Sequence, residues 1–372
     1  MRVAFCGGGT GGHVYPALTV AAAMRARVGG PEKLDILYIG VRGKIDGELV
    51  RREKIAFRAV TARPLRVGSL AGTTRGALSL LQGTAEAYRI LKGFRPDAVF
   101  ATGGYGSVGV GLAARILGRP LLLFLPDVEP GLAVRTLARV ANRIAVTVAP
   151  AQTTLPSGKA EVTGYPVRSA FFEATRADGR KRLRLHPTLP TLLVSGASSG
   201  AHRINRAVLA WAPDFLRVGQ IIHLCGRGDE AWLRDEREKL PLDLRERYHL
   251  HGYLHEDIAL ALAAADVAIM RSGASTLGEL PATRLPAVLV PGEYEGWDQG
   301  PNARYLAENG AAVMLAQSRL PELQTTVMAL LGDSERRAQM KEALARLARP
   351  DAADRLARMT LEMAGAREAV AA

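Results

Sequence analysis

Short apolar runs alternate with longer amphipathic stretches along almost the whole chain. The runs fall at residues 3–6, 34–39, 56–60, 97–102, 120–125 and 143–148, and again at 191–195, 221–225, 249–254, 267–270 and 287–290. Most are short and unbroken rather than alternating, the mark of strands buried on both faces, and the stretches between them have helical period. This pattern predicts α/β architecture with parallel sheets covered on both sides. Around residues 169–188 the alternation lapses into a charged, irregular stretch before it restarts. That lapse reads as an interdomain connection, so two doubly wound, Rossmann-like domains facing across a cleft are expected.

The loops that interrupt the pattern carry the chemistry. The first apolar run ends in Gly7-Gly8-Gly9-Thr10-Gly11-Gly12-His13, directly before a helical stretch with Pro16 in its first turn. Glycines there admit positive φ and close approach of a ligand, and free N–H groups at a helix start attract phosphate or another anion. Gly7, Gly9 and Gly12 also spell a dinucleotide fingerprint, but that reading needs an acid at the end of the second strand. The strand 34–40 ends in Gly40, with Asp35 at its start, so a nicotinamide or flavin site loses support. His13 is either a hydrogen bonder at the helix terminus or a catalytic group. A second glycine turn, Thr102-Gly103-Gly104-Tyr105, follows the run at 97–102 and would line the same crevice.

Composition narrows the partners. The 372 residues carry a net charge of +13, which calls for an anionic partner: nucleic acid, an acidic lipid surface or a phosphorylated substrate. The basic residues are scattered and aromatics make up only 5%, poor material for stacking on bases, so nucleic acid is not expected. The two cysteines, Cys6 and Cys225, give no disulfide framework and no clustered metal site, which fits a reducing compartment. No export signal and no membrane-spanning run is visible. Residues 63–92, with Arg66, Arg75, Leu78, Leu80 and Leu81, read either as a membrane-facing surface or as a core-facing amphipathic helix after a loop.

Six stretches in order resemble the MurG family of GT-B glycosyltransferases: Gly8 to Pro16, Gly103-Gly104-Tyr105, Gly164-Tyr165-Pro166-Val167-Arg168, Gly196-Ala197-Ser198-Ser199-Gly200-Ala201, Arg271-Ser272-Gly273-Ala274 through Glu279, and Asp298-Gln299 through Asn302. The resemblance implies an inverting transfer of N-acetylglucosamine from UDP-N-acetylglucosamine to a lipid-linked muramyl-peptide in peptidoglycan synthesis. It implies an acceptor and membrane-facing domain over 1–166, a UDP-sugar domain over 167–349, and a last helix at about 350–372 packing back on the first domain. The expected location is peripheral, on the cytoplasmic face of the cell membrane. No cofactor and no metal ion is expected.

Carried over residue by residue, the resemblance gives Thr10, Gly11, Gly12 and Tyr105 to substrate binding on the first domain. His13 becomes the candidate general base, since an imidazole with pKa near about 6.5 suits proton transfer near neutrality. Ser198, Ser199 and Arg168 would meet the diphosphate, and the backbone of Leu254 the uracil. Glu279 would accept the ribose hydroxyls, although Thr276-x-x-Glu279 also spells a capping box. Asp298, Gln299 and Asn302 would reach sugar hydroxyls from a loop leading into a helix, or serve as turn residues. One departure concerns the acceptor: where the family usually has His-Glu-Gln-Asn, this chain has Phe124-Leu125-Pro126-Asp127. The family's acid is replaced by Leu125, leaving Asp127 as a candidate catalytic group, with Glu129 beside it. A different lipid acceptor, or UDP-sugar binding without catalysis, are the alternatives.

Overall fold

The computed structural model describes residues 1–8, 11–63, 70–156, 158–196, 200–294 and 297–365. The chain divides into two compact units, Met1–Val167 with Arg349–Ala372, and Arg168–Ala348.

The first unit is built on a seven-stranded sheet of β1 (Arg2–Cys6), β2 (Asp35–Val41), β3 (Ala56–Val60), β4 (Ala98–Ala101), β5 (Leu121–Leu125), β6 (Arg143–Val146) and β7 (Ala160–Val162). The strands are parallel and ordered β3-β2-β1-β4-β5-β6-β7. Val3 to Cys6 and every residue of β4 and β5 are buried, because helices cover both faces. Phe5, Phe100 and Phe124 pack across the central strands at centroid separations of 5.3 and 6.5 Å. The chain winds outward in one direction from β1 and in the other from β4. The switch point, where ligands bind in such sheets, therefore falls between the two glycine turns.

Helices α1 (Gly11–Val28), α2 (Asp46–Arg52), α3 (Leu70–Phe94), α4 (Tyr105–Ile116) and α5 (Leu132–Ala138) connect the strands. Against α1 lies the helix Ala352–Met363, tied by a two-pronged pair from the Arg27 guanidinium to Asp354 at 2.5 and 2.7 Å. Arg143 joins the same helix through Glu362 at 2.8 Å. Just past β7, Gly164 has φ +89, and the side chain of Arg349, just before that helix, occupies the space a Cβ would need.

The second unit has six parallel strands, β8 (Thr191–Ser195), β9 (Gln220–Leu224), β10 (Tyr248–His251), β11 (Val267–Met270), β12 (Ala287–Leu289) and, beyond the short antiparallel pair β13 (Glu293–Tyr294) and β14 (Trp297–Asp298), β15 (Ala312–Met314). Their order is β10-β9-β8-β11-β12-β15, with the switch point between β8 and β11. Leu192, Val194, Ile204, Phe215, Ile269 and Val288 are central to its core.

The stretch 169–188 is not the irregular connection its composition predicts. It forms α6 (Ala170–Glu173) and α7 (Arg176–Arg182) and belongs to the second unit. Two of the arginines there are tied into the unit. Arg180, 7% exposed, donates to the carbonyls of His186 and Leu189 at 3.0 and 2.8 Å, and Arg176 pairs with Asp266 at 2.6 Å. Gly179 lets α7 approach the main chain of Leu260 directly.

Candidate functional site

In the first unit the two glycine turns close on each other through His13. The ring Nδ1 lies 2.9 Å from the carbonyl oxygen of Thr102, and the Thr102 hydroxyl donates to the carbonyl of His13 at 2.8 Å. His13 sits in the first turn of α1 and Thr102 just past β4, so this reciprocal pair binds the ends of two neighbouring strands. A carbonyl only accepts, so Nδ1 is the donor of that bond, and in the neutral ring the lone pair lies on Nε2. The ring rests against the second turn: a Cβ on Gly104 would lie 3.2 Å from Cδ2 and 3.3 Å from Nε2. Gly103 and Gly104, at φ +80 and +76, thus supply both the backbone conformation and the room.

Tyr105, half-buried, begins α4 immediately after that turn, and Gly11 and Gly12 begin α1. The Tyr165 hydroxyl donates to the Gly12 carbonyl at 3.3 Å. Thr10 lies outside the described residues. Leu125 is 1% exposed in β5, so the position at which the resemblance leads one to expect an acid is here part of the core. Asp127 is half-buried and Glu129 exposed on the loop that follows. The Thr147 hydroxyl donates to the carbonyls of Leu125 and Pro126 at 3.2 and 2.9 Å, fixing the start of that loop.

In the second unit the loop after β8 and the loop after β11 flank the switch point. Ser198 and Ser199 lie outside the described residues. After them Gly200, at φ +75, packs on the Cys225 carbonyl, and α8 (His202–Ala210) begins. Glu279 stands in the helix Thr276–Thr283, where its Oε2 accepts from the Ser275 hydroxyl at 3.1 Å. Burial pushes its carboxyl above the ordinary glutamate range, while the Ser275 bond and the positive charge of Arg168 pull the other way. The guanidinium of Arg168 is also held over the Phe171 ring, 5.4 Å from its centroid. The capping box expected from Thr276-x-x-Glu279 does not form: Thr276 is already inside the helix, its hydroxyl bonds the Gly273 carbonyl, and the helix has no side-chain cap.

Asp298, Gln299 and Asn302 do not share one loop, as the sequence predicts. Asp298 is exposed at the end of β14 and accepts from the Gly300 N–H at 2.7 Å. The helix Gly300–Glu308 starts there, so Asn302 is helical. Gln299 and Asn302 are 4% and 2% exposed. Gln299 Oε1 accepts from the Gly292 N–H at 2.9 Å, its carbonyl accepts from the Ser272 hydroxyl at 3.0 Å, and Asn302 Nδ2 donates to the Ser272 carbonyl at 3.0 Å. Arg271 donates to the carbonyls of Val290 and Pro291 at 3.2 and 2.9 Å. The amides and Arg271 together hold the ends of β11 and β12, which brings the loop after β11 to a fixed position. Leu254 is half-buried between Tyr253 and His255, whose rings meet edge to face at 4.5 Å.

Sequence reasoning missed Thr102 and Asp46. The strand-end threonine gave no signal, since its main-chain carbonyl does the work. Asp46, 0% exposed beneath the first glycine turn, was visible only as an acid two loops away.

Residues 3–146 match the profile of the glycosyltransferase family 28 N-terminal domain, and residues 191–356 that of the family 28 C-terminal domain. Among curated proteins the chain is 41% identical to a UDP-N-acetylglucosamine–N-acetylmuramyl-(pentapeptide) pyrophosphoryl-undecaprenol N-acetylglucosamine transferase of Roseiflexus sp., covering 96% of this chain and 94% of that protein. A protein of the same name from Salinibacter ruber is 36% identical over 98% of this chain and 97% of its own. Among solved structures, MurG of Acinetobacter baumannii superposes with a TM-score of 0.74 at 26% identity, covering 97% of this chain and 99% of that one.

Proposed function

From glycosyltransferase family 28, to which this chain belongs, we propose that the protein transfers N-acetylglucosamine from UDP-N-acetylglucosamine to lipid-linked muramyl-pentapeptide, with inversion at the anomeric carbon. The observation that carries this reading is the His13 ring, proton-bearing at Nδ1 through Thr102 and with Nε2 turned against the second glycine turn. The acceptor sugar hydroxyl loses its proton to Nε2 as its oxygen bonds the anomeric carbon. The bond from that carbon to the diphosphate breaks, and UDP leaves. Charge building on the leaving phosphate is met by N–H groups at the start of α8 and by Arg168. Glu279 accepts from the ribose hydroxyls, and Leu254 offers its main chain to uracil. Gln299 and Asn302 then serve the sugar through the main chain they fix, and Asp298 is the exposed member of the three.

The membrane part of the reading is supported by α3. Ala87 and Leu91 are buried on one side of it, whereas Leu78 and Leu81 are 66% and 68% exposed. An apolar, solvated pair on a protein of net charge +13 suits an anionic lipid surface at the cytoplasmic face. Arg66 lies outside the described residues, as does the side chain of Arg75. No helix among the described residues is long and apolar enough to cross a membrane.

Leu125 favours one second reading, transfer to a different lipid acceptor, because the acid usual at that position is absent. The test is turnover of UDP-N-acetylglucosamine with lipid-linked muramyl-pentapeptide, run beside Asp127→Asn and Glu129→Gln. A wild type that binds the donor but transfers nothing to this acceptor overturns the proposal.

A further inference from the structure

A buried carboxylate lies beneath the first glycine turn and outside every role given so far. Asp46 is the first residue of α2 and is fully buried. Its Oδ2 accepts from the Val41 N–H at 2.9 Å, at the carboxyl end of β2. The same oxygen fills the space that a Cβ on Gly8 would take, and Gly8 has φ +148. A Cβ on Gly40 would meet it at 3.0 Å. Two main-chain segments, at Gly8 and at Gly40-Val41, are thus shaped around one side chain.

Two lines of contact run from Asp46 to the acceptor side of the site. Along the first, Gly8 leads to the second turn, since its carbonyl lies 3.1 Å from the Cβ position of Gly104, on which the His13 ring also rests. Along the second, Val41 supports the start of α4, for its Cγ2 lies 2.5 Å from the Cβ position of Gly106, next to Tyr105. The Tyr105 phenol is pushed above its ordinary value by burial and then by the charge of Asp46. Tyr38, 1% exposed, feels burial and the same charge, so both hydroxyls stay protonated and able to donate. An amide would satisfy the Val41 N–H equally well, whereas a carboxylate removed from water is costly and persists where its charge is used.

We propose that Asp46 is a positioning residue for the acceptor half of the reaction, holding the first glycine turn and the Tyr105 hydroxyl in register with His13. The proposal rests on the transfer reaction described above. It is tested with Asp46→Asn, which keeps shape and the bond to Val41 but removes the charge, with Asp46→Glu, and with Asp46→Asn combined with Tyr105→Phe beside Tyr105→Phe alone. Asp46→Asn should keep the wild-type thermal shift with UDP while kcat with the lipid acceptor falls roughly 10- to 100-fold, the usual cost of misplacing reacting groups. Asp46→Glu should recover part of that rate. The double variant should lose less than the product of the two single losses, because the two groups act as a unit.

Wild-type kcat and acceptor KM in a folded Asp46→Asn protein would overturn the assignment. Loss of the UDP shift in both single variants of Asp46 would make Asp46 a folding residue and overturn it equally. A wild type without transfer activity removes the reaction itself and takes this proposal with it, a result distinct from an active wild type matched by its variant.

Discussion

His13 and Thr102 bond each other twice, ring Nδ1 to carbonyl at 2.9 Å and hydroxyl to carbonyl at 2.8 Å. The pair lies where β1 and β4 diverge, so the imidazole is fixed by the same feature that opens the sheet to a ligand. A histidine that only finished a helix start would not need its ring turned into a neighbouring strand's glycine turn. The orientation also decides which nitrogen can take a proton: Nε2, beside Gly104 of the second glycine turn.

The first prediction follows from that. His13→Ala should leave UDP affinity unchanged, because the residues proposed to hold the donor lie in the second unit, and should lower turnover by roughly 10²- to 10⁴-fold. Isothermal titration with UDP and steady-state rates on the same preparation check it. Near-normal turnover in a folded variant would remove His13 from the chemistry.

Glu279 gives a prediction with opposite signs for two measurements. Its carboxyl is raised by burial, so the folded state holds the proton more tightly than the unfolded chain does. On its own this favours the fold at low pH, and that contribution is lost as pH rises through the raised value. UDP binding should run the other way, since the ribose hydroxyls need an ionised acceptor. Affinity should therefore fall on acidification at a pH above the ordinary glutamate value of about 4.3. Glu279→Gln should weaken UDP binding and flatten this dependence, as read by thermal shift at subsaturating UDP. Unchanged affinity in the variant would return Glu279 to a structural role with Ser275.

The sequence made the repeated strand and helix pattern legible because buried parallel strands leave unbroken apolar runs. It also exposed both glycine turns, where backbone conformation restricts residue choice. It did not reveal that 170–173 and 176–182 are helical, because Arg180 finds its partners in main-chain carbonyls that carry no residue identity. The same limit hid Thr102. Gln299 and Asn302 looked like exposed loop amides since glycine and proline surround them, yet both are buried and Gln299 Oε1 and Asn302 Nδ2 bond Gly292 and Ser272, which only the folded chain brings near. Asp46 was illegible for a related reason: an acid after a strand looks solvated until the backbone at Gly8 and at Gly40-Val41 is seen to close over it.

A further prediction concerns stability and His223. Both ring nitrogens are engaged, with Tyr248 Oη at 2.7 Å and Asn205 Oδ1 at 3.0 Å, and burial pushes its pKa down to about 3. The folded value lies below the unfolded one, so the neutral ring stabilises the fold above about pH 6.5 and this contribution is lost as pH falls toward the lowered value. Between those limits the loss should approach about 1.4 kcal/mol per pH unit. Urea unfolding at stepped pH should show it, and His223→Gln should reduce the slope. Equal slopes would place the acid sensitivity in other groups.

The last prediction separates a membrane-facing surface from an ordinary solvated helix. On α3, Gly83 packs against the Thr61 carbonyl, and Gly109 of α4 comes within van der Waals reach of Gly83 and Thr84, so one face of α3 is committed to the unit. Leu78 and Leu81, three residues apart and both mostly exposed, lie away from that contact. Each leucine removed from water is worth about 1.5–3 kcal/mol, enough to add to electrostatic attraction but not to anchor the protein irreversibly. The protein should therefore sediment with vesicles containing anionic lipid and dissociate as salt rises. Leu78→Glu with Leu81→Glu should abolish that binding while leaving the thermal shift with UDP intact, and should slow transfer to a vesicle-embedded acceptor more than to a soluble, short-chain one. Binding that ignores both the lipid charge and the two leucines would leave this face of α3 as solvated surface.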